Sequence, residues 1–165
     1  MADPLDALRR FDGPVAPDPA FAADLRRRLL PRSRPVITTA TATPYLIVAD
    51  ARAALAFYVA AFDAEVTSRM EMDDGRIGHA ELTIGGAPFM LADEFPELGY
   101  EGPLARGGTT VSIHLDVEDV DAATESAVAA GATLERAPED QFHGNRNAVI
   151  VDPAGHRWML STPLF

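Results

Sequence analysis

The spacing of apolar residues along the chain changes repeatedly, and each change marks an element. Between Pro19 and Leu30 the apolar positions Phe21, Leu25 and Leu29 recur every four residues, with Asp18 placed to cap a helix and Pro19 at its first position. So narrow a stripe suits docking on another surface better than building a core. Tyr45-Leu46-Ile47-Val48 is a short β-type run, after which Asp50 caps a segment carrying Leu55, Tyr58, Val59 and Phe62 at helical spacing. Glu65–Met72, Ile77–Ile84 and Ala87–Ala92 follow, separated by Asp74-Gly75 and Gly85-Gly86, and predict antiparallel strands joined by tight hairpins. The order is βαβββ.

The same order returns after the glycine-rich break Gly102–Gly108. A strand over Thr110–Val117, a cap at Asp119, a helix over Val120–Ala130 closed by Gly131, and strands near Thr133–Arg136, Asn147–Val151 and Arg157–Ser161 complete a second unit. Val48 and Val117, Asp50 and Asp119, Gly86 and Gly155, Met90 and Met159, and Leu91 and Leu160 all lie 69 residues apart, which points to a duplication. One such unit covers a single face of its own sheet, and two units leave open faces that can form a cleft. The expected architecture is α+β: tandem βαβββ units over about 42–93 and 109–162 within a domain at 42–163, making a cupped mixed sheet, with an N-terminal helical arm over 1–36.

Charge separates the arm from the body. Residues 1–36 hold seven Arg and five Asp, net +2, and residues 37–165 hold seven Arg and twenty acids, net −13, which sum to the −11 of the whole chain. An acidic body repels phosphate backbones and anionic membrane surfaces, so neither nucleic acid nor membrane is an expected partner, and a cationic small molecule is favoured. There is no run of eighteen apolar residues, and Asp3, Asp6, Arg9, Arg10 and Asp12 stand where a signal peptide needs an apolar stretch, so the chain is expected in the cytoplasm. The absence of cysteine removes disulfides, thiolate metal sites and cysteine nucleophiles together.

The stretches Thr43-Pro44-Tyr45-Leu46 through Ala56-Phe57-Tyr58, His114-Leu115-Asp116-Val117, Asp140-Gln141-Phe142 with Gly144 and Arg146, and Asp152-Pro153-Ala154-Gly155-His156-Arg157-Trp158 resemble the vicinal oxygen chelate superfamily of glyoxalases, bleomycin-resistance proteins and dioxygenases, most closely its PhnB-like branch. In metal-using members one ligand sits early on the first strand of each unit and another on the last. The resemblance places those positions at Thr43, Met90, Ser112 and Met159, none of them His, Glu or Gln. A catalytic Lewis-acid site needs about three nitrogen or oxygen side-chain donors, so neither a metal nor any other cofactor is expected. Homodimerisation is a further implication of the resemblance, which leaves open whether the units pair within one chain or between two.

The remaining candidate chemistry lies in four histidines and two arginines. Alternation puts Ser112, His114 and Asp116 on one face of their strand, so His114 either meets a ligand or bonds a neighbour such as Tyr45, its counterpart at the 69-residue offset. Phe142 and His143 lie in a polar loop that can fold over a cleft mouth, Arg146 and Arg157 can clamp an anion or pair with local acids, and His156 sits in a turn that a histidine commonly satisfies. His79 and Glu81 alternate with Ala80 and Leu82 without revealing which pair faces inward. The leading functional expectation is a metal-free binding protein that sequesters a cationic or aromatic small molecule, as bleomycin-resistance proteins do. The alternatives are a metal-independent glyoxalase-like lyase or isomerase with His114 or His143 as general base and, last, a metal enzyme with substitute ligands such as His79, Glu81 and His114. The expected ligand-binding set is Thr43, Tyr45, Met90, Ser112, His114, Phe142, His143, Arg146, Arg157 and Met159.

Overall fold

A computed structural model describes residues 18–29 and 40–165. The first stretch is one helix, α1 (Pro19–Leu29), whose first turn is closed by the Asp18 carboxylate accepting from Ala20 N at 2.7 Å and Phe21 N at 3.0 Å. The rest of the arm expected over 1–36 lies outside the described residues.

The body contains the two expected βαβββ units. The first comprises β1 (Tyr45–Val48), α2 (Ala51–Phe62), β2 (Glu65–Glu71), β3 (Ile77–Ile84) and β4 (Ala87–Asp93), in sheet order β1-β4-β3-β2. After a short α3 (Pro103–Arg106), the second comprises β5 (Ser112–Asp116), α4 (Val120–Ala129), β6 (Thr133–Asp140), β7 (Asn145–Val151) and β8 (Arg157–Pro163), in order β5-β8-β7-β6. The first strand of each unit runs parallel to the last, Tyr45 beside Met90 and His114 beside Met159, so the sequence offset is preserved as spatial equivalence.

Both unit helices start on an aspartate: the carboxylate of Asp50 accepts from Ala53 N and that of Asp119 from Ala122 N. The chain leaves α2 through Asp63 in the left-handed region, at φ 51°. α2 buries Ala51, Ala54 and Ala61 beside its larger residues and α4 buries Ala127 along with Val120 and Thr124, and the two helices pack together, with Ser126 Oγ donating to the Ala60 carbonyl across the contact. Each sheet keeps one face on this helical layer. Its other face is open; β2 is exposed along its whole length and β6 everywhere but at Pro138.

β6 runs to Asp140, beyond the expected end at Arg136. Two register shifts, between Leu134 and Arg136 and between Arg136 and Glu139, let its pairing with β7 continue past Pro138, so the expected polar loop at 141–146 contracts to a turn between Asp140 and Asn145.

Trp158 of β8 is wholly buried and surrounded by rings of the first unit: Tyr58 and Phe62 of α2 and Phe89 of β4 have centroids 5.1–5.5 Å from its own. Its indole N–H and the Tyr58 hydroxyl are polar groups stranded in this apolar contact, and the buried carboxylate of Asp152 accepts both, at 2.9 and 2.8 Å. The other oxygen of Asp152 accepts from His156 N at 2.8 Å, closing the turn into β8.

Replacing Tyr58 by Phe removes one of these donors and is expected to lower unfolding free energy in urea by about 1–3 kcal/mol. Burial, then the nearby Asp152 charge, pushes the Tyr58 hydroxyl well above its ordinary value of 10.0. A group whose folded pKa is raised contributes stability that is complete below the unfolded value and is lost as pH climbs past it. Stability should therefore decline above about pH 10, and Tyr58→Phe should make that decline shallower in alkaline denaturation curves.

Candidate functional site

β1, β5 and the turn into β8 bring sequence-distant side chains to one cavity of about 670 Å³, walled by Thr43, Tyr45, Phe89, Ser112, His114 and His156 among others. A neighbouring cavity of about 720 Å³ shares Tyr45, Thr109 and His156, and its other wall is the segment 101–110. Glu94 Oε1 holds that segment by accepting from Gly102 N at 2.8 Å. Gly102 lies so near β1 that a Cβ would come within 2.6 Å of the Ile47 carbonyl oxygen, and only glycine fits there.

Hydrogen bonds fix the histidine tautomers. His156 Nε2 lies 3.1 Å from the Ile47 carbonyl, which can only accept, so Nε2 carries the hydrogen and Nδ1 keeps its lone pair. His114 Nε2 lies 2.9 Å from Asp116 Oδ1, which assigns the same tautomer. Both imidazoles therefore offer Nδ1 as an acceptor, beside the Thr43 and Ser112 hydroxyls and the apolar surfaces of Leu46, Pro88, Phe89 and Ile113. Arg106, the cation of the adjoining wall, is paired with Glu101 at 2.9 Å. Such a wall offers two ring-nitrogen acceptors and two hydroxyls that can accept or donate.

The expected ligand-binding residues separate into groups. Thr43, Tyr45, Ser112 and His114 meet at the cavity. Met90 lies beside Tyr45 and Met159 beside His114, each half-buried on its own sheet and outside the cavity wall. Arg157 pairs with Glu135 at 2.7 Å and leaves its buried Nε without a partner. Arg146 grips Asp121 through two bonds of 2.6 and 2.9 Å and Asp140 through one of 2.7 Å, which holds its guanidinium pKa above the ordinary value and that of Asp121 below it. Phe142 and His143 occupy the β6–β7 turn, away from the cavity lining, with their rings edge to face at 5.3 Å.

One constellation could not be read from the strand pattern. Ala80 and Leu82 enter the core, pairing with Leu91 and Phe89 of β4, and His79 and Glu81 are thereby turned to the opposite face. There the Tyr45 hydroxyl lies 3.0 Å from His79 Nδ1, and His79 Nε2 lies 3.3 Å from Glu81 Oε1. The signal available in the sequence was the alternation of Phe89 and Leu91, which fixes the facing of β3 once the hairpin is granted.

The four positions to which the resemblance assigns metal ligands, Thr43, Met90, Ser112 and Met159, carry two hydroxyls and two thioethers, donors that do not fit a catalytic transition metal. Among the described residues no three His, Asp or Glu side chains gather closely enough to hold one. The substitute set does not assemble: His79 and Glu81 pair with each other on the first sheet, and His114 pairs with Asp116 on the second.

Paired βαβββ units around a cavity define a class of protein whose chemistry varies while its scaffold does not. The sequence pattern of the Glyoxalase/Bleomycin resistance protein/Dioxygenase superfamily matches residues 38–160, and the chain belongs to that superfamily. An uncharacterized protein of Mycobacterium tuberculosis is 46% identical over 125 residues, covering 74% of each chain. Among solved structures, TioX from Micromonospora sp. ML1 superposes with TM-score 0.59 at 26% identity, over 74% of this chain and 95% of that one. The PhnB protein from Bacillus cereus shares the fold, with TM-score 0.58 at 19% identity over 74% of this chain and 99% of its own. No helix among the described residues is long and apolar enough to cross a membrane.

Because Arg146 is committed to two carboxylates on the helical side of its sheet, Arg146→Ala is expected to lower the melting temperature slightly and leave small-molecule affinity unchanged. Parallel thermal melts and binding titrations check this.

Proposed function

We propose that this chain binds an aromatic or cationic small molecule in the β1–β5 cavity without the help of a metal, sequestering it as bleomycin-resistance proteins do. The observation that carries the reading is the wall itself: rings and aliphatic groups for a carbon skeleton, with the Nδ1 atoms of His114 and His156 left as acceptors and two hydroxyls that can accept or donate. Acceptors facing a ligand select donors, and a protonated amine or ring N–H supplies them. The net charge of −11 favours the approach of a cation. Function as a cytoplasmic homodimer belongs to this proposal and draws support from the superfamily resemblance and from the exposed β2 and β6.

A second reading, a metal-independent lyase or isomerase, is favoured by the His114–Asp116 pair. The carboxylate orients the imidazole, as a general base requires. His143 has no such partner at the cavity. Turnover of a bound ligand separates this reading from sequestration.

Thermal-shift screening with cationic antibiotics and aromatic metabolites is expected to yield a stabilising ligand, worth about 2.7 kcal/mol at a hundred times its Kd. Ser112→Trp, which fills the cavity from an exposed position on β5, should abolish that shift. Absence of any stabilising ligand for the parent protein, or one tightly bound transition metal per chain on elemental analysis, would count against the proposal.

A further inference from the structure

We propose that Tyr45, His79 and Glu81 form a proton relay that receives the acidic hydroxyl of a phenol or enol bound in the cavity. The proposal rests on the reading that the cavity takes an aromatic small molecule, and it adds the acid–base character of that ligand.

The direction of each hydrogen bond follows from what its atoms can do. The Glu81 carboxylate accepts, so His79 Nε2 donates to it across 3.3 Å and Nδ1 is left with a lone pair. That lone pair, 3.0 Å from the Tyr45 oxygen, takes the phenolic hydrogen. Burial, with a smaller contribution from Tyr100, raises the Tyr45 pKa above its ordinary value and keeps this hydrogen in place at neutral pH.

Tyr45 lines both cavities. With its own hydrogen committed to His79, its oxygen can only accept from a ligand, and of the donors that match it, N–H or O–H, an acidic hydroxyl is the one that can give up its proton near neutral pH. When that hydroxyl is acidic, its O–H bond breaks as a new O–H bond forms on Tyr45. The original Tyr45 O–H bond breaks in turn as an N–H bond forms on His79 Nδ1. One proton enters the relay and one reaches the imidazole, leaving a ligand anion and an imidazolium paired with Glu81, with no oxidant or co-reactant needed. Glu81 touches no ligand. It is a positioning residue that fixes the histidine tautomer and stabilises the charge that arrives there.

The test uses the full chain with para-nitrophenol, whose anion is coloured, following dye absorbance against pH at saturating protein. The bound dye should ionise at lower pH than free dye in the same buffer, with an ionisation constant raised by at least about tenfold. Tyr45→Phe and His79→Gln should each remove that increase from whatever dye remains bound, while far-UV circular dichroism confirms that both variants are folded. Nitrogen-15 spectra of the imidazole should show Nε2–H in the parent protein and a tautomer mixture in Glu81→Gln. Dye that binds with an unshifted pKa, or a shift that survives both variants, overturns the relay alone. Dye that fails to bind the parent protein overturns the relay together with the cavity reading beneath it.

Discussion

The arrangement of the body depends on a single buried carboxylate. Asp152 belongs to a tight turn of the second unit, yet it accepts hydrogen bonds from Tyr58 of the first unit and from Trp158 of its own. An unpaired carboxylate in that apolar contact would be prohibitive, and so would an unpaired indole and phenol. The three groups are tolerated only together, and together they hold α2 against β8. The same turn aims His156 at the Ile47 carbonyl of β1, so the interaction that joins the units also sets the wall of the cavity between them.

The two units share a plan and differ in how they secure it. In the first, Asp93 at the end of β4 accepts from Ala51 N at 2.6 Å and Ile77 N at 2.5 Å, pinning the start of α2 and the start of β3 to one carboxylate. The position 69 residues later is Thr162, whose hydroxyl donates to the Val117 carbonyl at 2.7 Å. The open faces differ in the same way. Tyr45 with His79 and Glu81 occupies one, and His114 with Asp116 the other. Duplication supplied equivalent positions, and divergence gave each a different polar chemistry.

Much of the fold was legible in the sequence because its signals are local. Asp50 and Asp119 announce helix starts, glycine pairs announce turns, and the 69-residue offset places Tyr45 and His114 in equivalent registers. Features that depend on distant partners were not legible. Asp152 resembles an ordinary surface turn-former until Tyr58, ninety-four residues earlier, is seen to reach it. The length of β6 was hidden because two bulges break the period that marks a strand. Arg146 fits an anion clamp in sequence, but its strand turns it toward Asp121 at the start of α4. His79 was ambiguous because alternation fixes two faces without saying which is covered, and the pairing of β3 with β4 supplies that choice.

The segment between β4 and β5 makes one wall of the larger cavity without contributing a strand to either sheet. Its first part is tied down by Arg76, which bonds the Glu94 carbonyl and Glu97 and lies over the Phe95 ring. The part that faces the cavity is held by Gly102 against β1, the Glu94 carboxylate, and Pro103 and Leu104 packed over the turn at Gly155, where an added Cβ would come within 3.0 Å of Pro103. A wall hung in this way is separable from the frame that carries it. Insertions, deletions and exchanges between those anchor points can reshape the chamber while the duplicated frame folds as before, and kindred chains could thus come to house molecules of very different outline on one unaltered skeleton.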